Sequence, residues 1–99
     1  MKTQIQENCL QLSGDLDFST VSTLLAEGEA LIRSAAVSAV DLTQVTASNS
    51  AALALLLAWL RVAKQHSHRL HFKGMPQQLC DMASLYGVKF LLEEEKNNG

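Results

Sequence analysis

Two cysteines, Cys9 and Cys80, are all the chain has, and they form no CxxC motif. That excludes a disulfide scaffold and points to reduced, buried thiols of an intracellular protein. Basic residues are also in short supply. Eight Lys and Arg face ten Asp and Glu, the net charge is −2 and the pI is about 5.8. A nucleic-acid binder held by phosphates would carry a basic stripe instead. The first six residues, Met1 to Gln6, lack the apolar core of a signal peptide. The longest apolar run, Ala51 to Leu60, is half of the roughly 20 residues that a membrane span needs. No GxxxxGK[ST] is present, which excludes a P-loop nucleotidase. Linkers, internal repeats and low-complexity tracts are absent too.

What remains is 99 residues, 47% apolar and 18% charged, the composition of one folded domain spanning residues 1–99. Its order is strands first, then alternating helix and strand. Gln4–Gln6 and Asn8–Ser13 alternate apolar and polar residues and predict a hairpin turning at Glu7-Asn8. Ser13 to Asp17 reads as a loop, with Asp17 the N-cap of a first helix. From Phe18 onward, Val21, Leu24, Leu25, Leu31 and Ile32 recur at helical spacing. Gly28 shares that stripe, and its use there would be close packing against the sheet. Ala35–Leu42 reads as an interior strand. A second helix runs from Ser50 to about His66, and Arg69–Lys73 reads as a further strand. The single proline, Pro76, suits the first turn of a third helix, with Gly87 at its C′ position. Leu79, Met82, Ala83 and Tyr86 line one face of it. Val88–Leu92 is an edge strand or a short helix, and residues 93–99 are a charged, frayed tail.

The second helix is apolar on two sides. Leu53, Leu56, Leu57, Leu60 and Lys64 share one face; Ala52, Leu55, Trp59, Val62 and His66 share the other. One stripe covers the sheet. The other is covered by the first or third helix, or by a partner protein with Trp59 as anchor. A docking surface of that kind would centre on Ser50 and include Asn49, Ala52, Leu55 and Trp59. Ser50 would cap the helix by accepting from Ala52 or Leu53 N–H. A phosphate on it would lie at the positive end of the helix dipole, yet would break an apolar contact. Asp41, at the predicted end of its strand, could bond to the same loop.

Other chemistry is thin. His66, His68 and His71 cluster, but no cysteine or acid stands at metal-ligand spacing, so no metal site is expected. Asp15 and Asp17 are a carboxylate pair with no nucleophile near them in the sequence. Nothing supplies a phosphate cradle for a nucleotide-binding regulator, and no cofactor is expected.

Three segments in register give the chain a family resemblance. Gly14-Asp15-Leu16-Asp17 before the first helix, Asp41-Leu42-Thr43-Gln44-Val45, and Asn49-Ser50 at a helix start resemble the STAS family, which includes bacterial anti-sigma-factor antagonists. The likeness covers nearly the whole chain. It implies an α/β fold, an open mixed sheet of four to five strands with helices mainly on one side. It also puts the family's phosphorylatable or partner-sensing hydroxyl on Ser50.

Within that family, Leu53-Ala54-Leu55-Leu56-Leu57, Ala63-Lys64, Gly74 and Ala83-Ser84-Leu85-Tyr86 resemble the STAS subunits of the Mla phospholipid transporters, ABC systems that maintain outer-membrane lipid asymmetry. This implies a non-enzymatic subunit docked on the cytoplasmic ATPase, with permease and substrate-binding subunits in the same complex. Such a subunit would be cytoplasmic and held at the inner membrane by its partners. Where the family has an acid before the hydroxyl this chain has Asn49, and where it has Gly-Gly after it this chain has Ala51-Ala52. Those departures suit a fixed docking surface better than a phosphorylation switch. The alternative is an anti-sigma-factor antagonist whose Ser50 is phosphorylated by an anti-sigma kinase.

Overall fold

Glu7 and Asn8 both adopt positive φ, 53° and 66°, in the computed structural model, which describes residues 2–92. Two consecutive left-handed residues make the tight turn whose twist matches that of paired strands. It joins β1 (Lys2–Gln6) to β2 (Cys9–Leu16) as an antiparallel hairpin, with Ile5 opposite Leu10. The predicted hairpin is therefore present, with Asn8 in the turn rather than in the strand. The segment Ser13–Leu16, expected to be a loop, continues β2. Its polar residues pair with β3 (Ala39–Ser48) through two register shifts. β3 is itself longer than predicted. It starts at Ala39 instead of Ala35 and passes through Thr43–Ala47 to Ser48.

The sheet order is β1-β2-β3-β4, with β4 reduced to His71–Lys73. β2, β3 and β4 are parallel, so each crossover carries a helix: α1 (Phe18–Arg33) and α2 (Ser50–Gln65). The mixed α/β sheet matches the expected fold, with four strands. α3 (Gln77–Leu85) follows β4, and Val88 leads into a short helix, α4 (Lys89–Leu92). Residues 93–99, expected to fray, lie outside the described residues.

One side of the sheet is apolar and the other polar. Leu10, Leu12, Val40 and Leu42 are buried at 1% exposure or less, in one core with Leu24 and Ile32 of α1 and Leu56 and Trp59 of α2. Each such leucine contributes about 1.5–3 kcal/mol relative to an exposed one. The alternate row, Gln4, Gln11, Asp41 and Lys73, runs in register across all four strands on the other face.

Asp17 caps α1 as predicted. Its carboxylate accepts from Ser19 and Thr20 N–H, and its own N–H donates to Thr20 Oγ1 at 2.9 Å. Leu24, Gly28 and Ile32 form the buried stripe of α1, while Leu25 lies at its exposed margin. Gly28 does not press on the sheet as expected; it presses on α2, where a Cβ would collide with the Trp59 ring. Gly87 terminates α3 with φ 71°, as predicted, but Tyr86 points out of the α3 core face at 60% exposure. Cys9 is buried and Cys80 half-buried, so the second thiol is less enclosed than expected.

Candidate docking site

The carboxyl ends of β2 and β3 are partners in the parallel ladder, Leu16 beside Ser48. Just before them, Thr46 Oγ1 donates to Asp15 Oδ1 at 2.6 Å and ties the two strands together. One residue later each strand caps a helix, Asp17 for α1 and Asn49 for α2. Both helix N-termini therefore emerge at the same end of the sheet. Ligands and partners of open α/β sheets are commonly met at such an edge. The first helical residues are Phe18 and Ser50, and both are exposed, Phe18 at 70%.

The cap of α2 is not the residue expected. Asn49 has extended backbone angles, and its Oδ1 accepts from Ala51 N–H at 2.9 Å. Ser50 is the first helical residue, and its hydroxyl takes no part in the cap. Serine and asparagine cap about equally well, so the choice between them depended on where β3 ended. Ser50 is left as an exposed hydroxyl at the positive end of a 16-residue helix.

Of the other residues expected at this site, only Asn49 is there. Ala52, Leu55 and Trp59 are buried at 1% exposure or less in the chain's own core. Trp59 Nε1 donates to the Leu25 carbonyl at 3.2 Å, so its polar edge is satisfied inside the molecule. α1 covers the second apolar face of α2, and Trp59 is no partner anchor. Asp41 lies near the start of β3, seven residues before Ser48, which places it about 23 Å along the strand from Ser48 and so at the far end of the sheet from Ser50. It accepts from Thr43 N–H (2.9 Å) and Thr43 Oγ1 (2.7 Å) in a local turn. The Thr43 backbone bond, then its hydroxyl, hold the Asp41 carboxyl below the usual range, with a smaller contribution from Lys73.

Phe18 is the site residue that periodicity concealed. It opens the apolar stripe of α1 in sequence, yet it directly follows an N-cap, before the helix has turned toward the core. No group of three or more His, Cys, Asp or Glu among the described residues is placed to hold a metal ion. His66 and His68 pair as rings 6.0 Å apart, and each Nδ1 bonds a backbone carbonyl. No helix among the described residues is long and apolar enough to cross a membrane.

The sequence matches the family described as "Mlab, STAS domain" over residues 1–93. The chain belongs to the STAS domain family. No curated protein matches it. Solved structures that share its fold include two of an anti-sigma factor antagonist. One is the anti-sigma factor antagonist SpoIIAA in its unphosphorylated form, with a TM-score of 0.67, 16% identity, and coverage of 85% of this chain and 81% of that one. The other is the Bacillus cell fate determinant SpoIIAA in its phosphorylated form, with a TM-score of 0.69, 16% identity, and coverage of 88% and 83%. In this STAS domain, the Ser50 edge and its two helix starts are built on that shared sheet.

Proposed function

We propose that this STAS domain is a non-enzymatic docking subunit that binds the ATPase of an ABC phospholipid transport system, with permease and substrate-binding subunits in the same complex. It would act in the cytoplasm, held at the inner membrane through those partners. One observation carries the proposal: Ser50 is an exposed hydroxyl at a helix start, released from capping by Asn49 and set at the same sheet edge as exposed Phe18. A capping hydroxyl has a structural duty, whereas Ser50 has none and is free to meet a partner. The family match supports the transporter assignment. The contact would comprise Ser50, Asn49 and Phe18. The test is co-purification of the tagged chain from its host. An ABC ATPase should be recovered in stoichiometric amount, and Phe18→Glu should reduce its recovery. Recovery of no ATPase would defeat the proposal.

A second function has its own support. The fold likeness to SpoIIAA, solved both unphosphorylated and phosphorylated, favours an anti-sigma-factor antagonist regulated at Ser50 by a kinase. Intact-mass measurement of the protein purified from growing and starved host cells separates the two. A phosphate that Ser50→Ala abolishes would favour the antagonist.

A further inference from the structure

Helices α1 and α2 end close together, and a histidine meets each end. Ile32 lies in the last turn of α1 and Val62 in the last turn of α2. Carbonyls of a last turn lack helical partners and carry the negative end of the helix dipole. His66 Nδ1 lies 3.1 Å from Val62 O, and His68 Nδ1 lies 2.8 Å from Ile32 O. His68 N–H also donates to Ala63 O at 2.8 Å, so this one residue ties the two helix ends together. A carbonyl only accepts, so both Nδ1 atoms carry a proton. In the neutral rings both Nε2 atoms then keep a lone pair.

The fold also sets the two rings beside each other. Ser67, between them, has φ 55°, a left-handed turn that reverses the chain after α2. The ring centres are 6.0 Å apart and the planes are tilted by 39°. An imidazole on Zn²⁺ has its ring centre about 3.2 Å from the metal, a Zn–N bond of about 2 Å plus the ring radius. Two rings on one ion therefore stand at most about 6.4 Å apart, and this pair lies within that reach. An Nδ1–H given to a backbone carbonyl is also the outer contact that orients metal-binding histidines. His66 is exposed and His68 half-buried, which leaves an ion a way in. Of the cations nearby in the chain, Arg33 pairs with Glu29 at 3.4 Å, and Lys64 and Arg69 are engaged as well.

We propose that His66 and His68 bind one divalent transition-metal ion through their Nε2 atoms, with water in the remaining positions. Two neutral imidazoles and no carboxylate select Zn²⁺, Ni²⁺ or Cu²⁺ over Mg²⁺ and Ca²⁺. With two protein ligands the site is open, short of the three of a catalytic zinc and the four of a structural one. The third histidine, His71, takes no part. It stands two residues before Lys73 on β4, opposite Ala39, and so on the polar face of the sheet, away from the helices.

Titration of the full chain with Zn²⁺, followed by nitrogen NMR of the histidine rings, tests this. Before metal is added, the neutral rings of His66 and His68 should both show the Nδ1–H tautomer. With Zn²⁺ their Nε2 signals should shift together, with one dissociation constant, while those of His71 stay in place. Mg²⁺ should move none of them. His66→Gln and His68→Gln should each weaken Zn²⁺ binding about tenfold or more, and His71→Gln should change it less than about twofold. The ring signals of the parent chain decide the matter even where a variant fails to fold. The proposal is overturned by a shift confined to one of the two rings, by an equal loss in His71→Gln, or by no shift at millimolar Zn²⁺. Sedimentation showing a Zn²⁺-dependent dimer would overturn it too, because the ion would then lie between two copies.

Discussion

Gly28 of α1 lies against the indole of Trp59 in α2, closely enough that any Cβ at position 28 would enter the ring. The two residues form one joint between the helices. Trp59 is completely buried, and its Nε1 donates to Leu25 O one turn before Gly28. An interior helix glycine costs about 1 kcal/mol relative to alanine. Here that cost is offset by room for the largest side chain in the core.

Gly28→Ala should therefore destabilise the domain, reversing the usual gain of alanine in a helix. Overpacking of this kind costs about 1–3 kcal/mol. Trp59→Ala should cost about 3–5 kcal/mol. Urea unfolding of the two variants and the double mutant would check the joint. The double mutant should be less destabilised than the sum of the singles, because the added methyl then meets a cavity.

Asn49 and Ser50 should separate by function. Asn49→Ala removes a cap and should cost about 1 kcal/mol. Ser50→Ala should change stability by less than about 0.5 kcal/mol, as expected for an exposed residue with no structural duty. Ser50→Asp should leave the fold intact, since an acid in the first turn favours the helix dipole. It should nevertheless lower partner recovery. A large stability loss from Ser50→Ala would return Ser50 to a capping role.

Ser48 is 7% exposed, and its Oγ has no hydrogen-bond partner among the described residues. An unpaired buried hydroxyl is a cost of roughly 1 kcal/mol or more. Ser48→Ala should thus be neutral or raise the melting temperature. A clear loss of stability would mean that the hydroxyl bonds a group in solution.

Acid should weaken the fold through two carboxylates. Bonds from the Ser19 hydroxyl, then Thr20 N–H, hold the Asp17 carboxyl below its usual range, and Thr43 does the same for Asp41. A depressed folded pKa means that the stabilisation is complete above the unfolded value and fades as pH falls through the folded one. Melting curves should therefore decline below about pH 4. The double variant Asp17→Asn, Asp41→Asn should show a flatter acid limb, because asparagine keeps the cap and the turn without titrating. An unchanged acid limb would remove both groups from the linkage.

Local rules wrote much of this molecule into the sequence. The Glu7-Asn8 turn, the Asp17 cap, the spans of α1 and α2 and the Gly87 stop follow from turn chemistry, capping and 3.6-residue periodicity, each acting within a few residues. The family was legible as well, because its motifs lie at helix starts and strand ends in a fixed order. Tertiary structure decided the rest. Ser13–Asp15 and Thr43–Ala47 look like loops because their side chains are polar, but the sheet ladder holds their backbones extended. Asn49 rather than Ser50 became the cap because β3 runs on to Ser48, which set where the helix could begin. That single step freed the Ser50 hydroxyl. Periodicity showed two apolar faces on α2 but not what lay against them. The Gly28 gap in α1, 31 residues away in the chain, turned Trp59 from a surface residue into the core. Contacts between distant segments carry no signature in either segment alone, so the buried and exposed faces of this domain were fixed only when the helices met.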